Sequence, residues 1–120
     1  MTRLKITESE FQQQVIDLGY YCGFRVAHFR PAMKADGTWV TPVSADGAGF
    51  PDLCIVNAER KRVIWFEVKS EDGELSPEQY EWLYELQMAG QEAYLIKPSD
   101  WDEIVKLLSE ARTEIIVKEV

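Results

Sequence analysis

Two cysteines, one histidine and 13 basic residues are all that this 120-residue chain holds of the groups that most often announce a function. With so few Cys and His, and none at zinc-ligand spacing, a zinc finger or ribbon is excluded. Cys22 and Cys54 sit among apolar neighbours, too few for a disulfide scaffold, and read as reduced core thiols of a reducing compartment. No apolar run approaches the roughly 20 residues of a membrane helix, and the N-terminus lacks a secretory h-region. The chain therefore reads as soluble and cytoplasmic, with no membrane partner. Repeats, low-complexity tracts and linkers are also missing, so residues 1–120 read as a single domain with one layered core. Against these absences, 46% hydrophobic residues and four tryptophans exclude a disordered chain.

Basic charge is the other shortage. The formal net charge is −8, but it is unevenly spread. Residues 1–69 carry nine Lys/Arg against eight Asp/Glu, with bases grouped at Arg25, Arg30, Lys34 and Arg60-Lys61-Arg62. Residues 70–120 carry four against thirteen and read as a solvated acidic surface. Tight passive binding of nucleic acid without a divalent cation is unexpected for such a chain.

The most informative pattern is the pair Asp52 and Glu67-Val68-Lys69, separated by 14 residues. Asp52 closes the turn Gly49-Phe50-Pro51-Asp52, and the apolar run Leu53-Cys54-Ile55-Val56 follows at once. The run from Val63 to Lys69 reads as its neighbouring strand. Alternation puts Trp65, Glu67 and Lys69 on one face and Ile64, Phe66 and Val68 on the other. Two carboxylates and an ammonium then meet at adjacent strand ends, a hard-oxygen metal site with a lysine beside it. An ordinary cross-strand ion pair on a surface hairpin has the same spacing.

Around this hairpin, Thr7-Glu8-Ser9-Glu10 has the form of a capping box and opens a helix expected to run to about Leu18, with Gly19 as its stop. Phe11, Val15, Leu18 and Cys22 form its apolar stripe. Glu8 lies close to that stripe, whereas Glu10 faces the polar side. Residues 24–29 alternate as a strand, followed by a long Pro/Gly-punctuated segment from Arg30 to Gly49 in which Trp39-Val40-Thr41 is a candidate short strand. Ser76-Pro77-Glu78-Gln79 opens a second helix whose apolar face is read as Tyr80, Leu83, Tyr84 and Leu86, ending at Gly90. Residues 93–96 read as a third buried strand. A last helix is expected from Asp100 to about Ala111, with Ile115-Ile116-Val117 as a final edge strand or a segment that pairs with another subunit. The expected fold is an α/β sandwich, a central mixed sheet flanked by helices.

Together these residues resemble the PD-(D/E)XK nuclease superfamily, whose fold is restriction-endonuclease-like. Gly49-Phe50-Pro51-Asp52, Phe66-Glu67-Val68-Lys69, Leu75-Ser76-Pro77-Glu78-Gln79 and Pro98-Ser99-Asp100-Trp101, in this order, resemble its VRR-NUC branch (virus-type replication-repair nucleases), in the form of phage-type single-domain members. The resemblance implies a Mg²⁺- or Mn²⁺-dependent endodeoxyribonuclease without an organic cofactor. It casts Asp52 and Glu67 as metal ligands, the Val68 carbonyl as a further donor, and Lys69 as the group that orients or helps deprotonate the attacking water. Glu8 matches the family's first-helix acid, with Glu10 as fallback. Gln79 has two readings, contact with the active site or plain helix capping. His28, Arg30 and Lys34 are candidate nucleic-acid contacts, and Trp82 and Trp101 are read as core.

The resemblance further implies branched, Holliday-junction-like DNA as substrate and a homodimer as the working assembly. A catalytically idle binding module, or a nuclease for flaps or RNA, are the alternatives.

Overall fold

The structure, a computed structural model, describes residues 5–29, 32–40 and 43–110. Its elements in chain order are α1 (Glu8–Tyr21), β1 (Arg25–His28), β2 (Ala32–Met33), β3 (Trp39–Val40), β4 (Leu53–Asn57), β5 (Arg62–Val68), α2 (Pro77–Met88), β6 (Glu92–Ile96) and α3 (Trp101–Ser109). The expected strand at residues 115–117, together with Arg30 and Thr41, lies outside the described residues.

Thr7 caps α1 as expected: its hydroxyl oxygen accepts the Glu10 amide at 3.1 Å and its O–H donates to the Glu10 carboxylate at 2.9 Å. The helix runs two residues past Gly19, however, to Tyr21. Gly19 is buried inside it, where a Cβ would come within 3.1 Å of Val26 Cγ2. The residue that lets the chain leave the helix is Gly23, at φ 86°. Gly19 serves instead to bring helix and sheet close together.

The main sheet has the order β1-β4-β5-β6, antiparallel throughout except that β6 runs parallel to β5. Its mixed character follows from the connections: a short turn at residues 58–61 joins β4 to β5, whereas β5 reaches β6 only by way of α2. Leu53, Ile55, Ile64, Phe66 and Val68 face one side and pack with Phe11 and Val15 of α1, with Phe24, and with Ile104 and Leu108 of α3. Trp65 and Glu67 face the other side, towards α2.

Leu83 is the buried anchor of α2, and Gln87 donates its side-chain amide to the Ala93 carbonyl at 2.6 Å. Tyr80 and Tyr84, expected on the apolar face, are instead about half exposed and stack on each other. A tyrosine tolerates this position because its hydroxyl stays hydrated. Both cysteines are half-buried, and burial pushes the Cys54 thiol up.

Part of the basic run at residues 60–62 is structural. Arg62 is buried and forms a two-pronged ion pair with buried Glu92, at 2.8 and 3.1 Å. The same guanidinium donates to the Leu107 carbonyl at 2.7 Å, and Arg60 donates to that of Leu108 at 2.7 Å. Two arginines thereby satisfy carbonyls at the negative end of α3. They are committed to the fold, which lowers further the positive charge available to a polyanion.

Candidate active site

Asp52, Glu67 and Lys69 are brought together at one end of the sheet by the β4–β5 register. Leu53 pairs with Phe66, so Asp52 stands beside Glu67 where β4 begins and β5 ends. Asp52 Oδ2 accepts the Val68 amide at 2.9 Å, which fixes that carboxylate across the strands. Glu67 is 2% exposed, an unusual place for a carboxylate without a cationic partner. Burial first, and then the Asp52 charge beside it, push its pKa from 4.5 to about 9, with Lys69 acting in the opposite direction.

Lys69 continues β5, its amide donating to the Ile96 carbonyl at 3.0 Å. Gly73 comes back over it, so that a Cβ there would lie 3.2 Å from Lys69 Cβ. The lysine stem is therefore held between strand and loop while the residue stays half-buried.

Gln79 fills both of its candidate roles at once. Its side-chain oxygen accepts the Ser76 amide at 2.9 Å, completing the capping box, and its Nε2 donates to Glu67 Oε1 at 3.0 Å. The start of α2 thus holds the Glu67 side chain through Gln79. Ser76 in turn accepts the Gln79 amide at 3.2 Å. Ser76→Ala removes that cap and is expected to cost about 1 kcal/mol, readable as a lower urea midpoint.

Phe50 binds the turn to the rest of the site. Its ring meets Phe29, Trp65 and Trp82 edge-on at 5.2, 5.3 and 5.0 Å. Trp82 also donates to the Asp46 carbonyl at 3.0 Å; it is half-buried against Phe50 and, unlike its reading as core, stands apart from the main core cluster. Trp101 packs against the core.

The remaining candidates are less tightly gathered. Glu8 is exposed on α1, yet its charge contributes to the upward shift of Glu67. Glu10 is occupied by Thr7. His28 is half-buried at the end of β1, opposite Leu53, and the next residue, Phe29, donates its amide to the Asp52 carbonyl at 2.9 Å. Lys34 is exposed between β2 and β3. Sequence reasoning did not anticipate β2, whose two residues carry no periodicity, nor the bond from Gln79 to Glu67, which links residues 12 apart.

These donors suit a divalent cation. Glu67 Oε2 is buried with no hydrogen-bond partner, and a second carboxylate stands beside it. Hard oxygen donors of this kind match Mg²⁺ or Mn²⁺. Among the described residues no group of three or more His, Cys, Asp or Glu side chains stands at metal-binding spacing, so Glu8 is not part of a three-carboxylate cluster.

A mixed sheet flanked by helices, with an aspartate and an ExK sequence meeting at adjacent strand ends, defines a nuclease of the PD-(D/E)XK type. The VRR-NUC domain model matches residues 24–100, and the chain belongs to that family. The match includes Asp52, Glu67, Lys69 and Gln79 but begins after α1 and Glu8. No curated protein and no solved structure matches the chain. Membership in the family implies a nuclease acting on DNA.

Proposed function

We propose that the protein is a metal-dependent DNA endonuclease that hydrolyses phosphodiester bonds at the Asp52–Glu67–Lys69 site. The observation that carries this reading is the buried Glu67 carboxylate, with one oxygen unpartnered and Asp52 beside it. Two carboxylates pressed together at low dielectric are relieved by a bound divalent cation.

Asp52, Glu67 and the Val68 carbonyl would hold the ion, Mg²⁺ or Mn²⁺. Bound there, it would polarise the phosphoryl oxygen and acidify water. Asp52 keeps its orientation through the Val68 amide, and Glu67 through Gln79. Lys69 positions the attacking water and offsets the negative charge that develops on the phosphoryl group. Glu8 contributes negative charge from α1, outside the immediate pair.

Structure-selective cutting of branched DNA by a two-fold dimer remains part of this reading. A domain of this size offers little surface for a four-way junction, which itself presents two related scissile strands. Sedimentation as a strict monomer at micromolar concentration would count against that part alone.

The test is cleavage of supercoiled plasmid and a labelled four-way junction with Mg²⁺, Mn²⁺ or EDTA. Cutting is expected only with metal, and Lys69→Ala is expected to slow it by about a hundredfold. Equal cutting by wild type and Lys69→Ala, or cutting in EDTA, would refute the assignment.

A further inference from the structure

The ribbon formed by β2 and β3 exposes two large apolar side chains that contribute nothing to the core. Met33 and Trp39 are directly opposed in the antiparallel register and therefore share one face. They are 59% and 64% exposed. The turn between them is tightly built. Asp36 accepts both the Thr38 amide, at 3.0 Å, and its hydroxyl, at 2.6 Å; the Lys34 amide donates to the Thr38 carbonyl at 2.7 Å; Gly37 takes φ 88°. The one acid of the turn is thus engaged within it, and Thr38 holds its carboxyl below the usual range.

Charge separates this segment from the rest of the chain. Residues 24–43 carry three bases, one acid and the lone histidine, whereas the remainder carries ten bases and twenty acids. In the chain the ribbon follows β1 and precedes β4, the paired strands whose ends meet at the Phe29–Asp52 hydrogen bond. Met33 is four residues beyond Phe29, a reach of at most about 14 Å, or some four base-pair steps of DNA. The ribbon itself, residues 32–40, is formally neutral, with Lys34 as its one base and Asp36 engaged inside the turn. Exposed aromatic side chains are the usual platform for unpaired bases, because every base has a stacking face.

We propose that the Met33–Trp39 face of the ribbon stacks on unpaired DNA bases a few nucleotides from the cleaved bond, while Lys34 contacts the backbone. This rests on the nuclease reading and adds to it the element that selects disrupted over intact duplex.

The test compares wild type, Trp39→Ala, Trp39→Phe and Met33→Ala by fluorescence anisotropy, with Ca²⁺ replacing Mg²⁺ to hold hydrolysis back. The probes are labelled intact duplex, the same duplex with a three-nucleotide bulge, and a single strand. Trp39→Ala is expected to bind the bulge and the single strand about tenfold more weakly and intact duplex within about twofold of wild type. Trp39→Phe is expected to restore most of the loss, and Met33→Ala to give a smaller one. Melting temperatures should not move, since neither side chain is buried.

Unchanged binding by Trp39→Ala on all three probes would overturn the inference, while plasmid cutting by the same variant would leave the nuclease reading in place. An equal loss on intact duplex would also overturn it, as would a change from dimer to monomer in sedimentation. If the wild type neither binds nor cuts any probe, both readings fall.

Discussion

Glu67→Gln is expected to stabilise the metal-free protein at pH 8 while lowering cleavage on the order of a thousandfold. The stability half follows from the carboxyl's position. Its pKa rises from 4.5 to about 9 on folding, through burial first and the Asp52 charge second. Between those values the folded protein holds a proton that the unfolded chain has released. Stability without metal therefore falls as pH rises from about 4.5 to about 9, and below pH 4 both states are protonated and the difference vanishes. Glutamine keeps the shape and the Gln79 contact but never ionises. The gain at pH 8 should be about 2–4 kcal/mol, or roughly 5–15 °C in melting temperature, with none at pH 4. Mg²⁺ should raise the melting temperature of wild type and leave that of the variant where it is. Identical melting of the two metal-free proteins at pH 8 would show that Glu67 is not the group under strain.

The second large effect concerns Gly49. It stands at φ 80°, and a Cβ added there would lie 2.5 Å from the Glu78 carbonyl carbon, 2.6 Å from the Gln79 nitrogen and 2.8 Å from Glu78 Cβ. Two of these atoms are backbone in the first turn of α2, held in place by the capping box and by buried Leu83. Gly49→Ala must displace the helix start and with it Gln79, so both folding and cleavage should suffer. A stability loss of about 3–5 kcal/mol is expected, from the left-handed backbone and overpacking combined. Gly90 provides the control. Its φ of 84° is nearly the same, with nothing within 4 Å of an added Cβ, so Gly90→Ala should lose only about 1 kcal/mol. Equal urea midpoints for the two variants would remove the close approach as the reason for Gly49.

The same contact explains why the two motifs occur together. Gly49-Phe50-Pro51-Asp52 and Ser76-Pro77-Glu78-Gln79 are distant in sequence, yet the first turn of the helix lies on the glycine, and Phe50 packs against Trp82 of that helix. In the sequence they are separate local signals, a turn and a cap. Only the fold makes them two sides of one site.

What the sequence by itself determined was local. The caps at Thr7 and Ser76, the strand alternation that sends Glu67 away from Phe66 and Val68, and the meeting of Asp52 with Glu67 across a short connection all arise between near neighbours. Their geometry is set by backbone periodicity. Tertiary structure decided what depends on distant contacts. Gly19 reads as a helix stop until Val26 is seen packed against it. Arg60 and Arg62 read as surface charge until Glu92 and the carbonyls of Leu107 and Leu108 are seen around them. Gln79 shows two alternative roles in sequence and performs both in the fold, because α2 crosses back over the sheet and places its first turn on the end of β5. Periodicity specifies which way a side chain points, but what it meets there depends on how the whole chain packs.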